Sequence, residues 1–148
     1  MPFALTNLVD EDPSFRAHAA VRSPIEAACA EHSNVATFHE LGPSEEGTML
    51  YGAVMGTGPV TASLIAGNHA DEPVGPETLR SLLLNGLARR DDMDSLLRRV
   101  QFVIVPHTNP DGEARNRAWM EAWPDLEAYL KEAVRENPGR DMEYGFPD

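Results

Sequence analysis

Two apolar runs separated by a helical pattern constrain the fold of this chain more than any other feature. The runs are VTASLIAG (residues 60–67) and VQFVIVP (residues 100–106), and each is typical of a strand buried on both faces of a sheet. Between them, leucines recur at helical spacing and predict an amphipathic helix over residues 76–89. This strand–helix–strand order predicts a right-handed crossover and a parallel pair of strands. We therefore predict an α/β fold with a mixed, largely parallel sheet flanked by helices.

The flanking segments add further helix and strand signals. Residues 13–32 are helix-prone, with Pro13 and Pro24 each placed to begin a helical segment. NVATFHELG and TMLYGAVMG read as strands joined by the GPSEEG turn, which predicts a hairpin. A short helix is predicted in RRDDMDSLLRR and a longer one in WPDLEAYLKEAVRENPG, where the Pro-Gly pair ends it. A length of 148 residues corresponds to about one domain, so we expect a single domain over residues 1–148.

Charge and composition exclude several classes of partner. Twelve basic and 24 acidic residues give a net charge of −12, which argues against binding to nucleic acid or to an anionic membrane. The start of the chain has no secretory signal pattern, and no apolar run reaches the ~20 residues needed to span a bilayer. We expect a cytoplasmic protein. The single cysteine, Cys29, lies on a predicted helix face and is expected to be a buried, inert thiol.

Both apolar strands end in polar loops, GNHADEP and HTNPDG. Ligands of open α/β sheets bind at the carboxyl ends of parallel strands, so these loops predict a site. In the first loop, Pro73 disfavours a helical conformation for Glu72, which places His69 and Glu72 in the loop that enters the helix. An imidazole and a carboxylate are good zinc ligands. The alternative is that both are surface residues and that Glu72 stabilises the helix N-terminus.

Together, the two loops resemble the zinc carboxypeptidase family. The shared order is a strand, His-x-x-Glu, a helix, a second strand, Asn-Pro-Asp-Gly and Asn-Arg-x-Trp, and it extends over residues 47–120. GNHADEPVGP is most similar to the bacterial, non-digestive branch. The resemblance implies that the fold is the first half of that family's α/β sandwich, that the cofactor is zinc, and that His69 and Glu72 are its first two metal ligands.

The resemblance also implies roles for other residues. The family's oxyanion-stabilising arginine directly follows the tryptophan of Asn-Arg-x-Trp, where this chain has Met120. Another donor is then needed, and Arg117 and Arg115 are the candidate catalytic arginines. Asn116 is a candidate substrate-binding residue of the same motif. Asp71 is a second one, because it stands where digestive members carry an arginine, and an acid there favours a basic or amine-bearing substrate.

A histidine at the end of the second strand, His107, has three interpretations. It is a zinc ligand, a solvated loop residue or a partner that orients a ligand.

The remaining catalytic groups of the family have no counterpart in this sequence. The family's third zinc ligand is a downstream histidine and its general base a glutamate further on, whereas no histidine follows His107 here. We therefore expect an incomplete N-terminal portion of a catalytic domain, inactive alone. The expected function of the complete protein is zinc-dependent hydrolysis of peptide or related amide bonds.

Two alternatives remain open. One is deacylation of N-acyl amino acids, as in the aspartoacylase and succinylglutamate desuccinylase relatives. The other is a degenerate, non-catalytic binding domain. The expected partners are a peptide or an N-acyl amino acid substrate. Because both apolar strands read as central ones, an uncovered sheet edge should also favour self-association.

Overall fold

A four-stranded sheet forms the centre of the structure. The computed structural model describes residues 8–10, 14–70, 72–133, 142–143 and 146–147. The sheet has the order β1-β2-β4-β3, and β5 and β6 form a separate two-stranded sheet. The elements in chain order are α1 (His18–Glu31), β1 (Ala36–Pro43), β2 (Met49–Met55), β3 (Val60–Ile65), α2 (Val74–Ala88), α3 (Arg90–Leu97), β4 (Val100–Val105), α4 (Pro110–Arg115), α5 (Arg117–Glu121), α6 (Leu126–Ala133), β5 (Met142–Glu143) and β6 (Phe146–Pro147).

The sheet is mixed, as predicted, but its parallel part is small. Strands β3 and β4 pair in parallel with α2 in the connection between them, which confirms the predicted strand–helix–strand unit. Strands β1 and β2 form the predicted antiparallel hairpin. Strand β2 also pairs antiparallel with β4, since the hairpin brings β2 back in the direction opposite to β4. Parallel pairing is therefore confined to β3–β4 and does not extend over most of the sheet.

The main core lies on one face of the sheet, beneath α1 and α2. Alternation along β4 turns Ile104 toward this core, with the partly buried Phe102 beside it. Cys29 is 2% exposed and burial raises the pKa of its thiol, as expected of an inert buried cysteine. The largest fully buried apolar side chains are Tyr51, Ile25, Met55, Leu83, Leu87, Met93, Ile104 and Val21.

Strand β3 differs from its prediction. We expected burial on both faces, but Val60 is 59% exposed and Ile65 is 60% exposed. The reason is its position, because in the described part of the chain β3 is an outer strand that pairs with β4 alone. An apolar run specifies a strand, but it does not specify how many neighbours that strand has.

The helices follow the sequence pattern with local differences. Pro24 lies inside α1 and does not begin a second helix. Helix α2 begins at Val74, two residues before the predicted start. Helix α6 is described up to Ala133, and the predicted end at Pro138 lies outside the described residues. No helix in the described ranges is both long and apolar enough to cross a membrane.

The exposed edge at β3 generates a testable prediction about association. We expect the 148-residue chain to self-associate through this edge, because β3 presents unpaired backbone groups and exposed apolar side chains. Ile65→Lys should weaken the association by about tenfold or more, since a charge at the contact opposes its burial. Sedimentation velocity over a concentration series measures this. Leu126→Lys on α6, where the leucine is 59% exposed, is the matched control, and an equal effect of both changes would contradict the assignment to β3.

Candidate functional site

The loops that follow β3 and β4 lie side by side at one edge of the sheet. The Thr108 amide donates to the Ala66 carbonyl at 3.1 Å, and the Asn109 amide donates to the Gly67 carbonyl at 2.9 Å. The Asn109 side chain also donates to the carbonyl of Asn68 at 3.3 Å. These bonds continue the parallel pairing beyond the strands. The two polar loops therefore meet at the carboxyl ends of β3 and β4, where ligand sites of α/β sheets form.

Two glycines allow this close approach. Gly67 has φ of 70°, and a Cβ there would lie 2.7 Å from Nδ1 of His107. A Cβ on Gly112 would lie 2.9 Å from the Cβ of Ala70 in the first loop. Asn109 fixes the second loop, because its Oδ1 accepts from the Gly112 amide at 2.9 Å and caps α4. Each loop thus holds the backbone of the other in place.

The predicted metal ligands, His69 and Glu72, line one small cavity between these loops. They lie in the segment that enters α2, as expected, and the Glu72 amide donates to the His69 carbonyl at 3.3 Å. Both side chains are exposed, whereas His107 and Glu113 in the same cavity wall are buried. The structure therefore places both residues in the wall of one cavity, with their side chains exposed.

The donor set suits zinc in part. An imidazole and a carboxylate are suitable ligands, and a catalytic zinc has three protein ligands with one open position. Within the ranges that the structure describes, no group of three or more His, Cys, Asp or Glu side chains is arranged to hold a metal ion. The described residues thus supply two donors of the right chemistry, and the metal roles of His69 and Glu72 stay predictions.

His107 is a buried structural residue and not a solvated one. Its Nδ1 accepts from the Asn109 amide at 3.2 Å, so we assign the proton to Nε2, which lies 3.5 Å from Oε2 of Glu113. Burial, together with the nearby Arg80 charge and His18, lowers the pKa of His107 to about 3. The imidazole is therefore neutral, and both of its nitrogens face protein groups.

Beneath the cavity, the buried carboxylate of Glu113 joins three other elements to its own helix, α4. Its two oxygens accept from the His18 amide at 3.0 and 2.9 Å, where α1 begins without a side-chain cap of its own. Arg117 of α5 donates to Oε1 at 3.0 Å, and Nη2 of Arg80 in α2 lies 4.0 Å from Oε2. Burial raises the pKa of Glu113, although these donors and charges oppose the increase.

Arg80 and Arg16 extend this charged group along α2. The Arg80 side chain is 2% exposed, and its Nη1 donates to the Arg16 carbonyl and lies 3.6 Å from Glu77. Nε and Nη2 of Arg80 are buried without a hydrogen-bond partner in the described structure. Arg16 in turn donates to Glu77 through Nε at 3.0 Å and Nη2 at 2.5 Å. Both arginines line the cavity that contains His69 and Glu72.

The arginines that we predicted as catalytic lie elsewhere. Arg117 donates to Glu113, to Glu121 at 2.9 Å and to the Phe15 carbonyl at 2.6 Å, so it ties helices to the N-terminal segment. Arg115 is paired with Glu46 in the turn between β1 and β2. The described wall of the His69–Glu72 cavity includes neither of them. Each of them has one partner far away in the sequence, Glu46 for Arg115 and the Phe15 carbonyl for Arg117.

The predicted substrate-binding residues have different positions. Asn116 is fully buried, and its side chain donates to the Gly112 carbonyl at 2.8 Å. Asp71 lies outside the described residues. Met120, which replaces the expected arginine, is 5% exposed and lines the cavity with His69 and Glu72. The roles assigned to Arg115, Arg117, Asn116 and Asp71 stay predictions.

Sequence reasoning missed the buried charges at this site. Glu77 and Arg80 lie in the helix predicted over residues 76–89 and His18 in the helix-prone segment 13–32, and neither they nor Glu113 carried a signal of burial. The three-residue spacing of Glu77 and Arg80 was the available signal, and it indicates a helix-surface pair. Their burial depends on α1 and α4, which no local pattern places beside α2.

Comparison with known proteins adds independent information. The sequence profile of a family described as zinc carboxypeptidase matches residues 21–148. Carboxypeptidase B of Astacus astacus is 24% identical over 104 residues, which make up 68% of this chain and 34% of that protein.

Solved structures show the same fold. Carboxypeptidase A from Helicoverpa armigera has a TM-score of 0.58 at 23% identity, over 88% of this chain and 31% of that chain. Bovine thrombin-activatable fibrinolysis inhibitor, in complex with a tick carboxypeptidase inhibitor, has a TM-score of 0.57 at 21% identity, over 86% of this chain and 38% of that one. These likenesses confirm the predicted α/β architecture. The chain spans about a third of the length of the relatives that it matches.

The Glu113 network generates a prediction about stability. Glu113→Gln should lower the free energy of unfolding by about 3–5 kcal/mol, because it removes the buried negative charge that faces both Arg80 and Arg117. Chemical denaturation followed by circular dichroism measures this. Glu121→Gln is the matched control, since Glu121 also pairs with Arg117 but its side chain is 64% exposed, so about 0–1 kcal/mol is expected. Equal losses in the two variants would show that the buried carboxylate has no special role.

A second prediction concerns pH. His107 has a folded-state pKa of about 3, below the ordinary value of 6.5, so the unfolded chain binds more protons between these values. Stability should therefore fall as the pH is lowered from 7 to 5, with a slope of up to about 1.4 kcal/mol per pH unit from this residue. His18, whose pKa burial also lowers, acts in the same direction, and Glu113, whose pKa is raised, acts in the opposite one.

His107→Gln should reduce this slope, because glutamine does not titrate but can still accept from the Asn109 amide. The measurement is urea denaturation at a series of pH values, compared by slope and not by absolute stability. His39→Gln at an exposed position of β1 should leave the slope unchanged. A slope in His107→Gln equal to that of the parent protein would contradict a neutral, buried His107.

Proposed function

The chain belongs to the zinc carboxypeptidase family, and from this premise we propose that the protein hydrolyses peptide or related amide bonds with zinc bound in part by His69 and Glu72. The observation that carries this proposal is the junction of the two polar loops. They are hydrogen-bonded side by side at the carboxyl ends of a parallel strand pair, with His69 and Glu72 lining one accessible cavity. A third ligand and a general base would come from outside these 148 residues.

His69 and Glu72 would provide an imidazole nitrogen and a carboxylate oxygen to the metal. Zinc, when bound, supplies Lewis-acid polarisation of the amide carbonyl and activation of a water. The position of Glu72 just before α2 also places its negative charge at the positive end of the helix, which helps to hold the carboxylate there without metal. This favours a loop that is formed before the metal binds.

The residues around these two donors hold the loop and shape the cavity. The His107 ring fills the space beside Gly67 and so fixes the backbone that leads to His69. Met120 and Ala70 contribute apolar walls, which exclude water from one side of the cavity. Positive charge near a developing oxyanion would come from Arg16 and Arg80, which line the cavity.

A second candidate function is that of a degenerate binding domain without catalysis. One observation that supports it is the buried Met120, which lines the cavity and occupies the position of the family's arginine. The other is that Arg117 is already paired with three other groups. Deacylation of N-acyl amino acids is a further enzymatic possibility at the same site. Metal binding alone supports either class, so hydrolysis has to be measured separately.

The proposal predicts weak metal binding and no turnover by the isolated chain. Two ligands should give roughly half of the binding free energy of a four-ligand zinc site, which corresponds to a dissociation constant of about 1–200 µM. His69→Ala should abolish this binding in isothermal titration calorimetry. His39→Ala, which removes an exposed histidine from β1, should leave it unchanged.

Activity is measured with the same samples on C-terminal-residue peptides and on N-acyl amino acids with added zinc. We expect hydrolysis only from a protein extended by the in-frame coding sequence downstream of Asp148, and loss of that activity in His69→Ala. Tight one-to-one zinc retention through dialysis, or turnover by a compact 148-residue monomer, would contradict the incomplete site. Zinc binding by the extended protein without any hydrolysis would support the binding domain.

A further inference from the structure

An apolar groove runs along α2 from the loop that carries Glu72. It consists of two cavities of about 470 and 580 Å³, whose walls share Phe15, Val74 and Trp123. The larger cavity includes Glu72 in its wall, and the other extends to Leu82. We call the joined cavities the α2 groove. It is continuous with the candidate site, because Glu72 belongs to both.

The two walls of the α2 groove are apolar and remain exposed after folding. One wall is a row of aromatic rings, in which Trp123 lies 6.0 Å from Phe15 and 5.7 Å from Tyr129 between ring centroids. The opposite wall is the outer face of α2, where Val74 is 65% exposed. Trp123 itself is 47% exposed. Large apolar side chains on both sides of one groove indicate a surface that gains free energy when an apolar group covers it.

Two of the three acidic groups in the groove wall are already paired. Glu77 binds Arg16 through short contacts of 2.5 and 3.0 Å. Asp10 accepts from Ser81 at 3.1 Å and from Asn85 at 2.9 Å. Neither carboxylate is left to select a cationic ligand. The third acid, Glu72, lies at the end that the groove shares with the candidate site. Away from that end, the groove therefore favours an uncharged, apolar occupant.

The dimensions and the chemistry of the walls favour a hydrocarbon chain over a peptide. Leu82 lies eight positions after Val74 in the helix, which corresponds to a length of about 12 Å. The α2 backbone is hydrogen-bonded within the helix, and the opposite wall consists of the aromatic side chains together with Leu8, Val9 and Asp10, of which Asp10 already accepts from Ser81 and Asn85. An extended peptide in this groove would leave its own N–H and C=O groups without partners, which costs free energy. An aliphatic chain has no such groups.

We propose that the α2 groove binds an aliphatic acyl group of the substrate, with the scissile amide at the end where His69 and Glu72 lie. The inference rests on the proposed function, because that function places the reacting bond at this end. The volume is in the range of small-molecule sites in proteins. The substrate class is then an N-acyl amino acid or N-acyl peptide with a medium-length acyl chain.

Fluorescence titration of Trp123 tests the groove without any hydrolysis. The chain has two tryptophans, so Trp119→Phe leaves Trp123 as the sole reporter. In this background, N-acetyl-, N-butyryl-, N-hexanoyl- and N-octanoylglycine are titrated in the presence of a metal chelator. We expect affinity to rise by about fourfold per methylene as the chain enters the groove, with a blue shift of Trp123 emission.

Two charge substitutions locate the binding. Val74→Glu should weaken N-octanoylglycine binding by about tenfold or more, because it places a charge where the chain is buried. Val60→Glu is the matched control, since Val60 is 59% exposed and lies on β3, outside the groove wall. Light scattering on the same samples follows the mass of the protein.

The proposal would be overturned if the affinity did not depend on the length of the acyl chain. Equal effects of Val74→Glu and Val60→Glu would also overturn it. The proposal would also be overturned if acylglycine binding changed the mass of the protein in solution and Val74→Glu abolished that change. This result would show that a second copy of the protein occupies the groove. Failure of the proposed function is distinguishable from these outcomes. If affinity rises with the length of the acyl chain but the protein neither binds zinc nor hydrolyses the amide, the groove is still an acyl-binding site. In that case only the proposed catalytic function fails.

Discussion

The pairing of the Glu113 carboxylate with groups from four elements is the interaction on which the rest of the structure depends. It caps α1 through the His18 amide, faces Arg80 of α2 and Arg117 of α5, and lies beside His107 at the end of β4. Removing a charge of this kind from water is costly unless several donors surround it. The carboxylate therefore requires all four elements at once, and they place the two polar loops above it.

The sequence predicted the elements well, because hydrophobic periodicity is a local property. Alternation and apolar runs located β1 to β4, and the leucine pattern located α2. The meeting of the two loops also followed from the pattern, since strands that pair in parallel end at the same edge. The exposure of Ile65 did not follow, because a run of apolar residues carries no information about how many strands lie beside it.

The charged part of the site was the least predictable. Arg115 and Arg117 were named from a motif, whereas the arginines in the cavity wall are Arg16 and Arg80. Motif reasoning assigns a residue by its neighbours in sequence, but burial of an arginine depends on acids from other elements. Glu113 is such an acid, and its partner His18 is 95 residues away. Pairings over this distance are set by the tertiary fold and leave no short-range signal.

That same separation affects the order in which the molecule becomes fixed during its synthesis. A ribosome that adds about 5–20 residues per second needs about 5–20 s to proceed from His18 to Glu113. During this interval α1, a helix of 14 residues without a side-chain cap, is a marginal helix in water. The delay is longer for Phe15, because its partner Arg117 is synthesised 102 residues later. Helix α1 is made before α4 and α5 and is therefore fixed late, so its apolar face needs protection until those helices have been made.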